Sequence, residues 1–244
     1  TQLNETIRDD ASPHVRAAGF QLKAEFLEKR PTFWKRFTDD ILVTNSHQQP
    51  AGTSAPLWAA FALGEGGPAS YYPERLTYLL LKHGKDPWLA HAIEASAFRL
   101  GSAQSLMAFS LPADMVDPGS WNRLIRHLAN AAVDSKEFEQ LITFFGNEAA
   151  RLNEEKSKAF VTAASLEEVF IGFAQGLSRK GKSFTDLKWP TAATEWLNQR
   201  IKMAKSHLQE LARSPEERLN RLPLLVLDSP DAVRLILTQL LQPA

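Results

Sequence analysis

His91 and Glu94 stand three residues apart, a spacing that puts an imidazole and a carboxylate on one face of a helix, within reach of one metal ion. Carboxylate-bridged di-metal bundles combine such pairs with further Glu and E-x-x-H ligands. Nothing here supplies them: His14, His47, His83, His127 and His207 are scattered along the 244 residues. No metal site is assigned, and the pair reads as a solvated or locally hydrogen-bonded one. Cysteine is absent, which removes disulfides, a thiolate nucleophile, Cys-ligated zinc or iron–sulfur, and C-x-x-C-H haem attachment within these residues. Adjacent carboxylates recur at Asp9-Asp10, Asp39-Asp40, Glu154-Glu155 and Glu167-Glu168. Neighbours on a helix point to different sides, so these are poor acid/base couples and good solvated or helix-start charges. No G-x-S-x-G, H-E-x-x-H or Walker A pattern occurs. Gly64-Glu-Gly-Gly67 lacks the preceding strand of a phosphate loop and reads as a helix terminator. No catalytic residue and no cofactor are therefore assigned.

One basic cluster remains, Arg179, Lys180 and Lys182, with Lys188 beyond it and Phe184 and Trp189 alongside. Cations beside aromatic rings can hold phosphate and stack bases, which makes Arg179, Lys180, Lys182 and Trp189 the candidate contact patch. A solvated loop is the competing reading. Lys+Arg and Asp+Glu number 28 each, so no long-range field draws a polyanion, and no second basic stripe follows. The six Trp residues, at 34, 58, 88, 121, 189 and 196, mostly fall at helix starts or on apolar stripes and read as core. For Trp34 a concave, partner-facing surface is the alternative to the core.

The elements that carry these residues are helices. Apolar residues recur with helical spacing at Val15, Ala18, Leu22, Phe26; at Leu89, Ala92, Ile93, Ser96, Leu100; and at Trp121, Leu124, Ile125, Leu128, Ala132. The same stripe returns at Phe138, Leu141, Ile142, Phe145; at Leu166, Val169, Phe170, Phe173, Leu177; at Leu197, Ile201, Ala204, Leu208, Leu211; and at Val233, Ile236, Leu237, Leu240. No strand pattern of period two is present. Ser12-Pro13, Asp86-Pro87, Asp117-Pro118, Ser214-Pro215 and Ser229-Pro230 each place a capping oxygen before a proline suited to the first helical position. Ser165 to Glu168 and Ser214 to Glu217 add S-x-x-E capping boxes. Loops at 44–56, 64–73 and 178–190 separate the helices. The expectation is a single helical domain over 1–244, with 178–190 the best place for a break.

Repetition narrows the architecture. Asp10-Ala-Ser-Pro-His-Val-Arg16 and Asp228-Ser-Pro-Asp-Ala-Val-Arg234 share an initial Asp, an interior Pro and a terminal Val-Arg, with Asp86-Pro-Trp-Leu-Ala90 a weaker copy. A polar D-x-x-P turn, a V-R pair and an alanine-rich helix ending in Leu-Gly, as in 57–64, form a HEAT-type pattern. The fold expected is all-α, a right-handed α-α superhelix of HEAT-like, armadillo-type repeats, in which helix pairs stack because none buries its apolar face alone.

The stretches DDASPHVRAAGFQL, LWAAFALGEG, DPWLAHAIEASAF and SPEERLNRLPLLVLDSPDAVRLILTQLLQP resemble the middle portion of the large membrane-bound dehydrogenases of planctomycete-type bacteria. That family joins a β-propeller, a HEAT-like array and a cytochrome c-like domain carrying C-x-x-C-H. The resemblance spans nearly the whole chain on motifs common to HEAT arrays, and this chain departs from the full pattern in lacking the propeller and the haem motif. It implies a periplasmic or extracytoplasmic location and carries over no redox residue. Ends that fall within helical stretches lead us to expect a piece of a longer polypeptide. No basic run precedes an apolar one, so an uncleaved signal peptide is not expected, and the longest apolar runs, such as 222–227, fall far short of the ~20 residues of a membrane helix. The expected function is a non-catalytic scaffold or protein-interaction module whose partners are other domains of the same polypeptide or another protein. A HEAT-like nucleic-acid-binding or base-processing protein is the alternative.

Overall fold

A computed structural model describes residues 57, 60, 61, 63, 64, 72–83, 86–108, 118–153, 161–210, 214, 222–228, 231, 234, 235 and 238. Among these the only regular secondary structure is helix, with no strand, so the described part of the chain is all-α. The helices are α1 (Tyr72–His83), α2 (Pro87–Leu100), α3 (Ser102–Ala108), α4 (Pro118–Ala132), α5 (Phe138–Asn153), α6 (Ala163–Arg179) and α7 (Thr191–Gln209), with 3₁₀ helices at Phe184–Asp186 and Leu222–Leu227. The stripe residues Val15, Ala18, Leu22 and Phe26, Leu211, and Val233, Ile236, Leu237 and Leu240, the repeat copy at 10–16, and the caps at Ser12, Asp117 and Ser229 lie outside the described residues. The described residues fall into two compact units, one up to Leu124 and the other from Ile125 onward. The segment 178–190 lies inside the second.

In the first unit, α2 begins where its local chemistry dictates. The Asp86 carboxylate accepts from the backbone N–H of Trp88 at 2.9 Å and of Leu89 at 3.4 Å, and Pro87 occupies the first turn, where its missing N–H costs nothing. The helix buries Leu89, Ala92, Ile93, Ser96 and Leu100, the face its period predicts, and ends at Gly101, whose φ of 108° suits glycine. α1 packs on α2 and α3, and the Ser105 hydroxyl on α3 donates to the Ala97 carbonyl of α2 at 2.8 Å. The rest of the Gly64-Glu-Gly-Gly67 run read as a terminator lies outside the described residues, while Gly64 is helical with no positive φ. Its missing Cβ serves a close crossing instead: a methyl there would sit 2.7 Å from the Ser96 side chain.

Trp88 departs from its expected core role, being 78% exposed. It shares a line along α2 with Ala95 and Arg99, seven and eleven residues on, both also exposed, while the buried stripe occupies another side.

In the second unit α5 packs extensively on α7, and α6 meets α5 and both 3₁₀ helices. Glycines mark the tightest approaches. A Cβ on Gly146 of α5 would meet the Pro190 ring at 2.9 Å, and Ala193 of α7 lies just beyond. Cβ atoms on Gly172 and Gly176 of α6 would fall 2.3 and 2.6 Å from the carbonyl oxygens of Arg126 and Asn130 on α4. The core between these helices is aromatic: Phe173 meets Phe138 edge-on at 5.1 Å and Phe145 at 6.0 Å, and Phe170 meets Trp196 at 5.8 Å. The apolar run 222–227 forms a 3₁₀ helix that buries Leu224, Leu225 and Leu227 against α6 and α7. No described helix is long and apolar enough to cross a membrane.

The capping box expected at Ser165 to Glu168 is corrected. α6 starts earlier, with Thr162 as its cap: the Thr162 hydroxyl accepts from the Ser165 N–H at 3.2 Å, which leaves Ser165 buried inside the helix. Glu168 is taken by the Arg126 guanidinium of α4, at 2.6 Å.

Candidate functional site

The basic cluster sits at the C-terminus of α6, and the helix end accounts for its composition. The Lys182 N–H donates to the Leu177 carbonyl at 3.0 Å and the Gly181 N–H to the Ser178 carbonyl at 3.0 Å. Those two bonds form a Schellman motif, which demands a left-handed residue at its turn; Gly181 supplies it, with φ 67°. Cationic residues are favoured around such a terminus because the last carbonyls carry partial negative charge.

Arg179 and Lys180 also reach the end of α4. The Arg179 guanidinium donates to the Asn130 carbonyl at 3.1 Å and to the Asp134 carboxylate at 3.3 Å. The Lys180 ammonium donates to the Val133 carbonyl at 2.9 Å and lies 2.7 Å from the other Asp134 oxygen. The hydrogen bond from Lys180 is the main cause holding the Asp134 carboxyl below the usual carboxylate range; the positive charges of Lys180 and Arg179 add to it, against a smaller opposing effect of desolvation. Two of the three cations thus bind the carbonyls and acid that close α4. Lys182 and Lys188 are exposed.

Trp189 is placed beside this cluster but faces the core. Its ring stacks on Phe184 at 4.9 Å, meets Phe170 edge-on at 5.0 Å, and its indole N–H donates to the Phe184 carbonyl at 3.4 Å. Phe184 is itself buried in a 3₁₀ turn closed by a reciprocal cap between Ser183 and Asp186. The four candidate residues share one segment, the three cations exposed at the helix end and Trp189 packed on Phe170 and Phe184.

The other candidates resolve into local structure. His91 Nδ1 lies 3.8 Å from Glu94 Oε2, with the imidazole largely exposed. Among the described residues no group of three or more His, Asp or Glu could hold a metal ion. His14, His47, Asp9-Asp10, Asp39-Asp40, Trp34 and Trp58 lie outside the described residues, as do Glu154 and Glu155. Glu167 and Glu168 diverge as neighbours on a helix must, one to Arg200 of α7 at 3.4 Å and the other to Arg126 of α4. They are inter-helix ion pairs rather than simply solvated charges.

Sequence reasoning missed Glu148. It is 1% exposed on α5, accepts from the Val161 N–H at 3.3 Å and pairs with Arg151 at 2.5 Å, tying the chain ahead of α6 to α5. The signal was present: with Leu141 and Phe145 it continues the apolar stripe, so a carboxylate stands where the helical period calls for an apolar residue. No protein-family model, curated protein or solved structure matches the chain.

Proposed function

We propose that this chain is a non-catalytic helical-repeat scaffold, a right-handed HEAT-like superhelix that holds other domains or a protein partner. The supporting observation is the order in which helices pack. Within each unit a helix meets the next but one at a glycine: the helical residues around Gly64 with α2, α4 with α6, and α5 with α7. Such alternate stacking is how repeated helix pairs share a core. α4 opens at Pro118 and α6 at Ala163, a step inside the ~40–47 residues of HEAT units, while the step from Phe138 to Thr191 is somewhat longer.

The partners follow from the family resemblance: a propeller and a cytochrome-type domain of one extracytoplasmic polypeptide, with the redox groups outside this segment. Two measurements test the reading. An extended array gives a radius of gyration by X-ray scattering well above the ~18 Å of a compact domain of this length; a compact value overturns the superhelix. The flanking sequence in the parent gene should encode a propeller before this segment and C-x-x-C-H after it; other flanks overturn the dehydrogenase context.

Nucleic-acid binding has less support, because Arg179 and Lys180 are engaged with Asp134 and Trp189 stacks on its own core. Binding of single-stranded oligonucleotide that weakens steeply with salt and is lost in Lys182→Ala would reinstate it.

A further inference from the structure

We draw no further inference here: the strongest candidate, the exposed apolar line of Trp88, Ala95 and Phe98 along α2, carries nothing because nothing in the structure shows what covers it.

Discussion

Asp134 is a small residue with a large set of obligations. It accepts from Arg179 and Lys180 while the same cations also hold the carbonyls of Asn130, in the last turn of α4, and of Val133, just past its end. Its pKa is lowered in the folded chain, so the stability it contributes is present above the ordinary carboxylate range and is lost as pH falls through the lowered value. Asp134→Asn is therefore expected to lower the urea midpoint at pH 7 and to narrow its gap from the parent chain as the pH is taken to 3 and below; a gap that stays constant with pH contradicts the assignment. Glu148 makes the complementary case for a buried acid. Glu148→Ala leaves the Val161 N–H without its carboxylate acceptor and should cost about 1–3 kcal/mol in urea unfolding, with Glu148→Gln recovering part of the loss through its amide oxygen. Neither role was fully legible. Asp134 lies 45 and 46 residues from its cations, a separation on which helical spacing is silent, whereas the misplaced polarity of Glu148 was there to be read.

Elements were more legible than residues, because period and capping are local. The stripe of α2 and the Asp86-Pro87 start appear where the spacing puts them, and Asp86→Ala should cost about 1 kcal/mol by thermal denaturation, with the loss of two backbone donors' acceptor. Ser165 shows the limit of the same reasoning. Its S-x-x-E signature was sound as a pattern, but Thr162 offered an equivalent oxygen one turn earlier, and the choice between them depended on burial and on Arg126 drawing Glu168 across. Crossings between helices were not legible, since a glycine inside a helix reads only as a weak helix former. Gly172→Ala tests what it does. Helix propensity alone predicts a gain, yet the new methyl would fall 2.3 Å from the Arg126 carbonyl oxygen, so the melting temperature should drop, by about 1–3 kcal/mol of overpacking. A rise in melting temperature would show that α6 does not approach α4 so closely.

At the scale of the molecule, the all-helical content of the described residues was foreseeable from stripes that never adopt a period of two. The arrangement of the helices was not, because it depends on contacts between residues far apart in sequence, such as Gly172 against Arg126. The exact balance of 28 positive and 28 negative residues bears on partners at this scale. With no net field to screen, association with another domain should proceed at a rate that changes little between 50 and 500 mM salt. A rate falling tenfold or more over that range would point instead to a charged surface as the docking face.

The Schellman-capped turn also bears on how the chain meets a protease. Trypsin reads Arg179, Lys180 and Lys182 as three adjacent cleavage points, but it must draw the basic side chain into its own pocket and extend the backbone around it. Arg179 and Lys180 are held by α4, and their peptide bonds belong to the helix end, while Lys182 projects outward just beyond the glycine turn. Limited digestion of the native chain should then produce, from this run, a new N-terminus at Ser183 ahead of any at Lys180 or Gly181. Asp134→Asn should narrow that order rather than erase it, since it removes the ion pairs while the bonds from Arg179 and Lys180 to the Asn130 and Val133 carbonyls remain.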